Sequence, residues 1–92
     1  MVSMVLEDVD GKPVLGEAMV RRDTVELRCQ DHLVAIADRD AFREWVEHPE
    51  GEFVADEMAW LGTERGVFLA VKDLCPWSPV SGSVMADLRE LL

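Results

Sequence analysis

At 92 residues and a formal net charge of −10, the chain has the length of one small domain and is too acidic for a general nucleic-acid binder, which needs Lys and Arg to displace counterions from phosphate. The same charge disfavours an anionic membrane surface and fits either a basic partner or solubility through self-repulsion. A domain this small buries only part of its surface, so the expected partner is a protein, the chain itself (a homodimer) included, with neither nucleic acid nor membrane.

The first residues, Met1 to Asp8, lack a basic segment and turn acidic before an apolar run can form, and no apolar run approaches the roughly 18 residues of a membrane helix. Two cysteines in such a chain read as reduced thiols. The expected location is cytoplasmic.

Residues 1–23 have two readings. Val2 to Val9 alternates loosely, Asp10-Gly11 is a turn pair, and Pro13 to Val20 would return as a second strand. The other reading is a partly ordered arm. Thr24 to Gln30 is a clearer strand, with Val25, Leu27 and Cys29 on one side and Glu26, Arg28 and Gln30 on the other. Leu33 to Ala37 is a short apolar run without alternation, the pattern of a strand covered on both faces or of one central in the sheet.

A helix follows. Asp38 or Asp40 caps its free N–H groups, and Phe42, Trp45 and Val46 fall on one face at i, i+3 and i+4. Pro49 stops it, because the residue before proline avoids the α region. From Glu44 to Glu57 there are acids and no Lys or Arg. Glu44 and Glu47 lie at the end of the helix that the dipole disfavours for negative charge. Glu44, Glu47, Glu50 and Glu52 are therefore candidates for contact with a basic surface.

Glu52 to Trp77 contains two of the three Trp and two of the three Phe. Two apolar runs flank the Gly62–Gly66 loop, as in a hairpin. Phe53 to Leu61 is read as a strand in preference to a helix, because Val67 to Val71, the clearest strand in the chain, wants an antiparallel partner. Cys75-Pro76-Trp77-Ser78-Pro79 is read as extended but irregular, since two prolines interrupt it. Ser81 or Ser83 then caps a last helix whose apolar stripe is Val84, Met85, Leu88, Leu91 and Leu92. The expected fold class is α+β: a small, mostly antiparallel sheet of four to five strands in the order β(β)ββ-α-ββ-α, with both helices on one face. No internal repeat is expected beyond a loose rhythm of strand pair then helix.

The chemistry is sparse. Cys29, His32, His48 and Cys75 are all the Cys and His residues of the chain and would make a Cys2His2 zinc shell. The two close ligand pairs of a strong zinc signature are not both present, and Cys29 sits in phase with Val25 and Leu27, as a core cysteine does. No metal or other cofactor is therefore expected. Asp56-Glu57 on a strand would point to opposite faces, which is no acid–base pair. The serines lack a nucleophile context, and the glycines lack a phosphate-loop context. No catalytic residue is assigned, and the chain is read as a non-enzyme.

Trp77, on a segment stiffened by prolines, is the kind of residue that anchors a partner. Val84, Leu88 and Leu91 of the last helix are the candidates for a dimer contact. The expected function is a non-enzymatic protein–protein interaction or regulatory module. Two alternatives stand beside it: an acidic inhibitor, of the antitoxin or immunity type, occupying a basic site, and a zinc-stapled module.

Overall fold

The structure, a computed structural model, describes residues 1–92. It is α+β, with eight strands in two four-stranded antiparallel meanders and two helices. The first sheet runs in order β1 (Val2–Glu7), β2 (Pro13–Val20), β3 (Thr24–Cys29), β4 (His32–Asp38), and helix α1 (Arg39–Glu47) follows. The second repeats the plan with β5 (Gly51–Ala55), β6 (Met58–Thr63), β7 (Gly66–Val71), β8 (Cys75–Val80) and helix α2 (Gly82–Leu91). The N-terminal residues form the hairpin rather than the arm. No helix is long and apolar enough to cross a membrane.

Three sequence expectations need correction. Phe53 to Leu61 is neither one strand nor a helix: it turns at Asp56-Glu57, where Asp56 takes φ 51° and Ala55 pairs with Met58. Asp tolerates this left-handed conformation, so the turn forms without glycine. Residues 75–80 do form a strand, β8, at the edge of its sheet, where prolines are tolerated, but its ladder is irregular between Leu69 and Val71, opposite Pro76-Trp77. The strand order puts β4 at an edge rather than at the centre of its sheet, and Leu33 and Ile36 are about half exposed, so it is covered on one face only. The N-terminal hairpin counts as two strands, and the split of 53–61 and the strand at 75–80 add one each, so the expected sheet of four to five strands becomes eight strands in two sheets.

The two halves also match in detail. Val25, Leu27 and Cys29 of β3 correspond to Val67, Leu69 and Val71 of β7, and all six are buried. The ladder to the next strand is irregular just after Leu27 in one half and just after Leu69 in the other. Asp38 caps α1 by accepting from the Ala41 N–H at 2.9 Å, and Ser81 caps α2 by accepting from the Val84 N–H at 3.4 Å. The fourth and seventh residues beyond each cap are buried: Phe42 and Trp45 in α1, Met85 and Leu88 in α2. The match goes beyond the loose rhythm of strand pair then helix expected from the sequence; it is hard to read there because the shared pattern is confined to inward positions, which alternate in any half-buried strand.

One core of 22 residues joins the halves. At its centre Phe42 and Trp45 of α1 meet Phe53 and Trp60 of the second sheet, with ring centroids 5.3 to 6.1 Å apart across the helix–sheet contact. Helix α2 packs on α1 and β1, and Arg89 Nε donates to the Val46 carbonyl at 3.2 Å. That bond places a cation at the C-terminus of α1, whose own last turn holds no basic residue. Arg89→Met, which keeps the apolar stem, is expected to cost about 1 kcal/mol, read as a lower urea midpoint with an unchanged slope.

Candidate functional site

In the second sheet the inward residues Met58, Trp60, Leu69 and Val71 are buried, as a half-covered sheet requires. The outward residues break the usual rule. Register places Glu52, Leu61, Phe68 and Pro79 in one row across β5, β6, β7 and β8. Val54, Ala59 and Ala70 form the next row, and Trp77, about half exposed, points outward beside them. Between Glu52 and the far edge, these rows hold no charge.

The first half supplies a comparison within the same chain. At the positions of β3 that match Phe68 and Ala70 stand Glu26 and Arg28. They form an ion pair at 3.2 Å, and Arg21 joins Glu26 at 3.4 Å. The outward face of β3 is thus charged and that of β7 is apolar, although the inward residues of the two strands are interchangeable in character.

The apolar row does not end at β8. Strands β1 and β8 are the facing edges of the two sheets and lie side by side without sharing a ladder. Val5, 73% exposed, lines grooves with Pro79 and with Trp77 at this seam. The first groove, about 340 Å³, also takes in Leu15, which pairs with Val5 in register. Leu61, Phe68, Pro79, Val5 and Leu15 therefore form a band across five strands, with Trp77 at its flank. Three of its four steps join hydrogen-bonded neighbours at roughly 4.8 Å, and the β8–β1 step has no ladder and is wider, so the band is at least about 20 Å long.

The acids sit at one end of the second sheet. Glu47, Glu50 and Glu64 line a polar cleft of about 530 Å³ with His48, Pro49, Gly62 and Thr63. Glu44, Glu47, Glu50 and Glu52 are exposed, and none belongs to an ion pair. Glu52 connects this acidic end to the band, since it occupies the Leu61 row.

The candidate residues divide accordingly. Trp77 is outward and available. Leu88 is wholly buried and Val84 is packed against the core, so neither presents the exposed dimer contact expected of α2. The apolar stripe of that helix faces inward, over β1 and α1. Leu91, at 37% exposure, stands at its edge. The residues that sequence reasoning missed are Val5, Leu15, Leu61, Phe68 and Pro79. Each looks unremarkable in its own strand, and only the strand order brings them together.

The zinc set is not assembled: no group of three or more His, Cys, Asp or Glu gathers at metal-holding distance. Cys29 and Cys75 are buried free thiols, while His32 and His48 are exposed. Burial, and then the charge of a Cys75 thiolate, push the Cys29 thiol above its ordinary value of 9.0. The folded chain therefore holds this proton to higher pH than the unfolded chain does. Its contribution to stability is full below pH 9.0 and is lost as pH rises through the folded value. The urea midpoint is expected to fall above that pH, with a shallower decline in Cys29→Ala.

Comparison with protein-family models, with curated proteins and with solved structures gave no match.

Proposed function

We propose that this chain is a non-enzymatic protein-binding module whose contact surface is the outward band of Leu61, Phe68, Pro79, Val5 and Leu15, with Trp77 as an anchor. One observation carries the reading: Phe68 and Ala70 face outward where the matching strand of the first half bears the paired Glu26 and Arg28. A sheet needs no apolar residue on its solvent face; here Leu61 and Phe68 are partly exposed and Val5, Leu15 and Trp77 are exposed, and contiguous apolar surface of this kind marks contact sites. A partner would place large side chains over Phe68 and Trp77, and the acidic end would form part of the rim. The buried free thiols Cys29 and Cys75 suit a reducing compartment such as the cytoplasm.

The test uses three immobilised baits against an extract of the source cells: wild type, Phe68→Glu, and Leu33→Glu. The last adds the same charge to an exposed position of the other sheet. The expected result is a protein held by wild type and Leu33→Glu and released by Phe68→Glu. An identical set on all three baits, or an empty one, would sink the proposal.

A second reading, the acidic inhibitor of a basic site, draws support from the cleft of Glu47, Glu50 and Glu64. Its carboxylates would stand in for phosphates. In that case Glu47→Gln with Glu50→Gln would release the partner while Phe68→Glu would not.

A further inference from the structure

We infer that the partner laid on this band is a cationic amphipathic helix, an assignment that rests on the protein-binding reading above. The direction of the band supplies the first argument. It runs across the strands, from β6 over β7, β8 and β1 to β2, so its contacts are side chains and not a free backbone edge. The edges are otherwise engaged. The Ile36 N–H of edge strand β4 donates to Asp56 Oδ2 at 3.1 Å, and the edges of β1 and β8 face each other. Addition of an extended strand therefore finds no template along the band. A length of at least about 20 Å matches the apolar stripe of a helix of roughly 13 residues or more, presented at i, i+3, i+4 and i+7.

Charge supplies the second argument. Glu52 ends the Leu61 row, Glu7 is the next outward residue after Val5, Glu17 is the next after Leu15, and Glu64 lies in the turn joining β6 to β7. Arg28, across from Glu17 in register, Lys12, beside the Pro13 that pairs with Glu7, and Arg65 offset part of this charge, and the chain as a whole remains at −10. A helix with Lys or Arg flanking its apolar stripe meets opposite charge on this rim. A second copy of this chain would bring the same four carboxylates against their own kind and oppose a net charge of −10 with another. An anionic membrane is repelled in the same way.

The probe is an end-labelled Leu/Lys peptide of about 18 residues, patterned as an amphipathic helix. A Leu/Glu peptide of the same pattern and a scrambled Leu/Lys peptide accompany it. Fluorescence anisotropy is read against wild type, Phe68→Glu, Val5→Glu and Leu33→Glu. Wild type is expected to bind the Leu/Lys helix and neither control. Phe68→Glu and Val5→Glu are each expected to weaken binding about tenfold or more, and Leu33→Glu by less than about twofold. Raising salt from about 0.05 M to about 0.5 M weakens the complex without abolishing it.

Thermal unfolding checks each variant. Should Phe68→Glu fail to fold, Val5→Glu carries the test, because its side chain is already in water. The inference is overturned by absence of binding, by equal binding of either control peptide, or by equal losses in Leu33→Glu and Phe68→Glu. Sedimentation showing a dimer that Phe68→Glu dissociates would also overturn it, since the band would then be an interface between copies. If the peptide fails while the extract still yields a Phe68-dependent protein, the partner chemistry is wrong and the module stands. If both fail, the band is no docking surface.

Discussion

Gly62→Ala is expected to lower the melting temperature by more than any other glycine-to-alanine change in this chain. Gly62 is buried within β6, between Gly51 and Val67 in register. A Cβ built there would stand 1.8 Å from the Pro49 carbonyl oxygen, 2.3 Å from its carbon and 2.9 Å from the Glu50 nitrogen. These are backbone atoms, with no flexible side chain to rotate aside. The link from α1 to β5 would have to move, and it carries the helix end and the start of the second sheet with it. The constraint is one of space, because Gly62 is not among the glycines at positive φ. Overpacking of this kind costs about 3 kcal/mol or more, out of a total stability on the order of 5–15 kcal/mol. For a domain of this size each kcal/mol lowers the midpoint by roughly 4–8 °C. Gly82→Ala is the control: nothing lies within 4 Å of its Cβ, and alanine in a helix is favoured over glycine. Thermal unfolding of the two variants decides the matter. A Gly62→Ala midpoint within a few degrees of wild type would mean that the link does not cross β6 as described.

The second large effect is expected at Trp60. Its side chain is wholly buried. It meets Phe42 edge-on, with centroids 5.7 Å apart, and Trp45 at 6.0 Å, and it pairs across the sheet with Phe53 and Leu69. Trp60→Ala empties the contact between α1 and the second sheet, at a cost of about 3–5 kcal/mol. Its Nε1 hydrogen is buried without an acceptor, and such a group carries a desolvation cost. Trp60→Phe removes that cost while keeping most of the ring contact, so it should lose less than half as much as Trp60→Ala. Urea unfolding gives both numbers. Equal losses in the two variants would show that ring packing is not what holds this helix to the sheet.

Much of the inner architecture could be read from residue order alone. Val25, Leu27 and Cys29 alternate as a strand and are buried as one. Phe42, Trp45 and Val46 mark the helix face that is inside, and one of the two residues proposed for each helix cap does cap it. What escaped has physical causes. The turns at Gln30-Asp31 and Asp56-Glu57 reach positive φ without glycine, so the usual punctuation is missing there. Pro76 and Pro79 argue against a strand unless that strand is known to be an edge. The stripe of Val84, Met85 and Leu88 shows that α2 buries a face, but not whether the cover is its own sheet or another molecule. Trp77 was legible because prolines isolate it. The band was not, because the exact register that sets Phe68 beside Pro79 is not written in either strand, and the seam sets Pro79 beside Val5 across most of the chain.

The doubled plan has a consequence for how the chain is made. Every ladder joins strands that are neighbours in sequence, so the search for each pairing is short and fast. On the ribosome the first half can close all its ladders before β5 has emerged. Its helix then waits with Phe42 and Trp45 facing rings, Phe53 and Trp60, that have not yet emerged. The aromatic cluster is thus the last part of the first half to be covered, and the stage at which a nascent chain is most open to sticking to its neighbours.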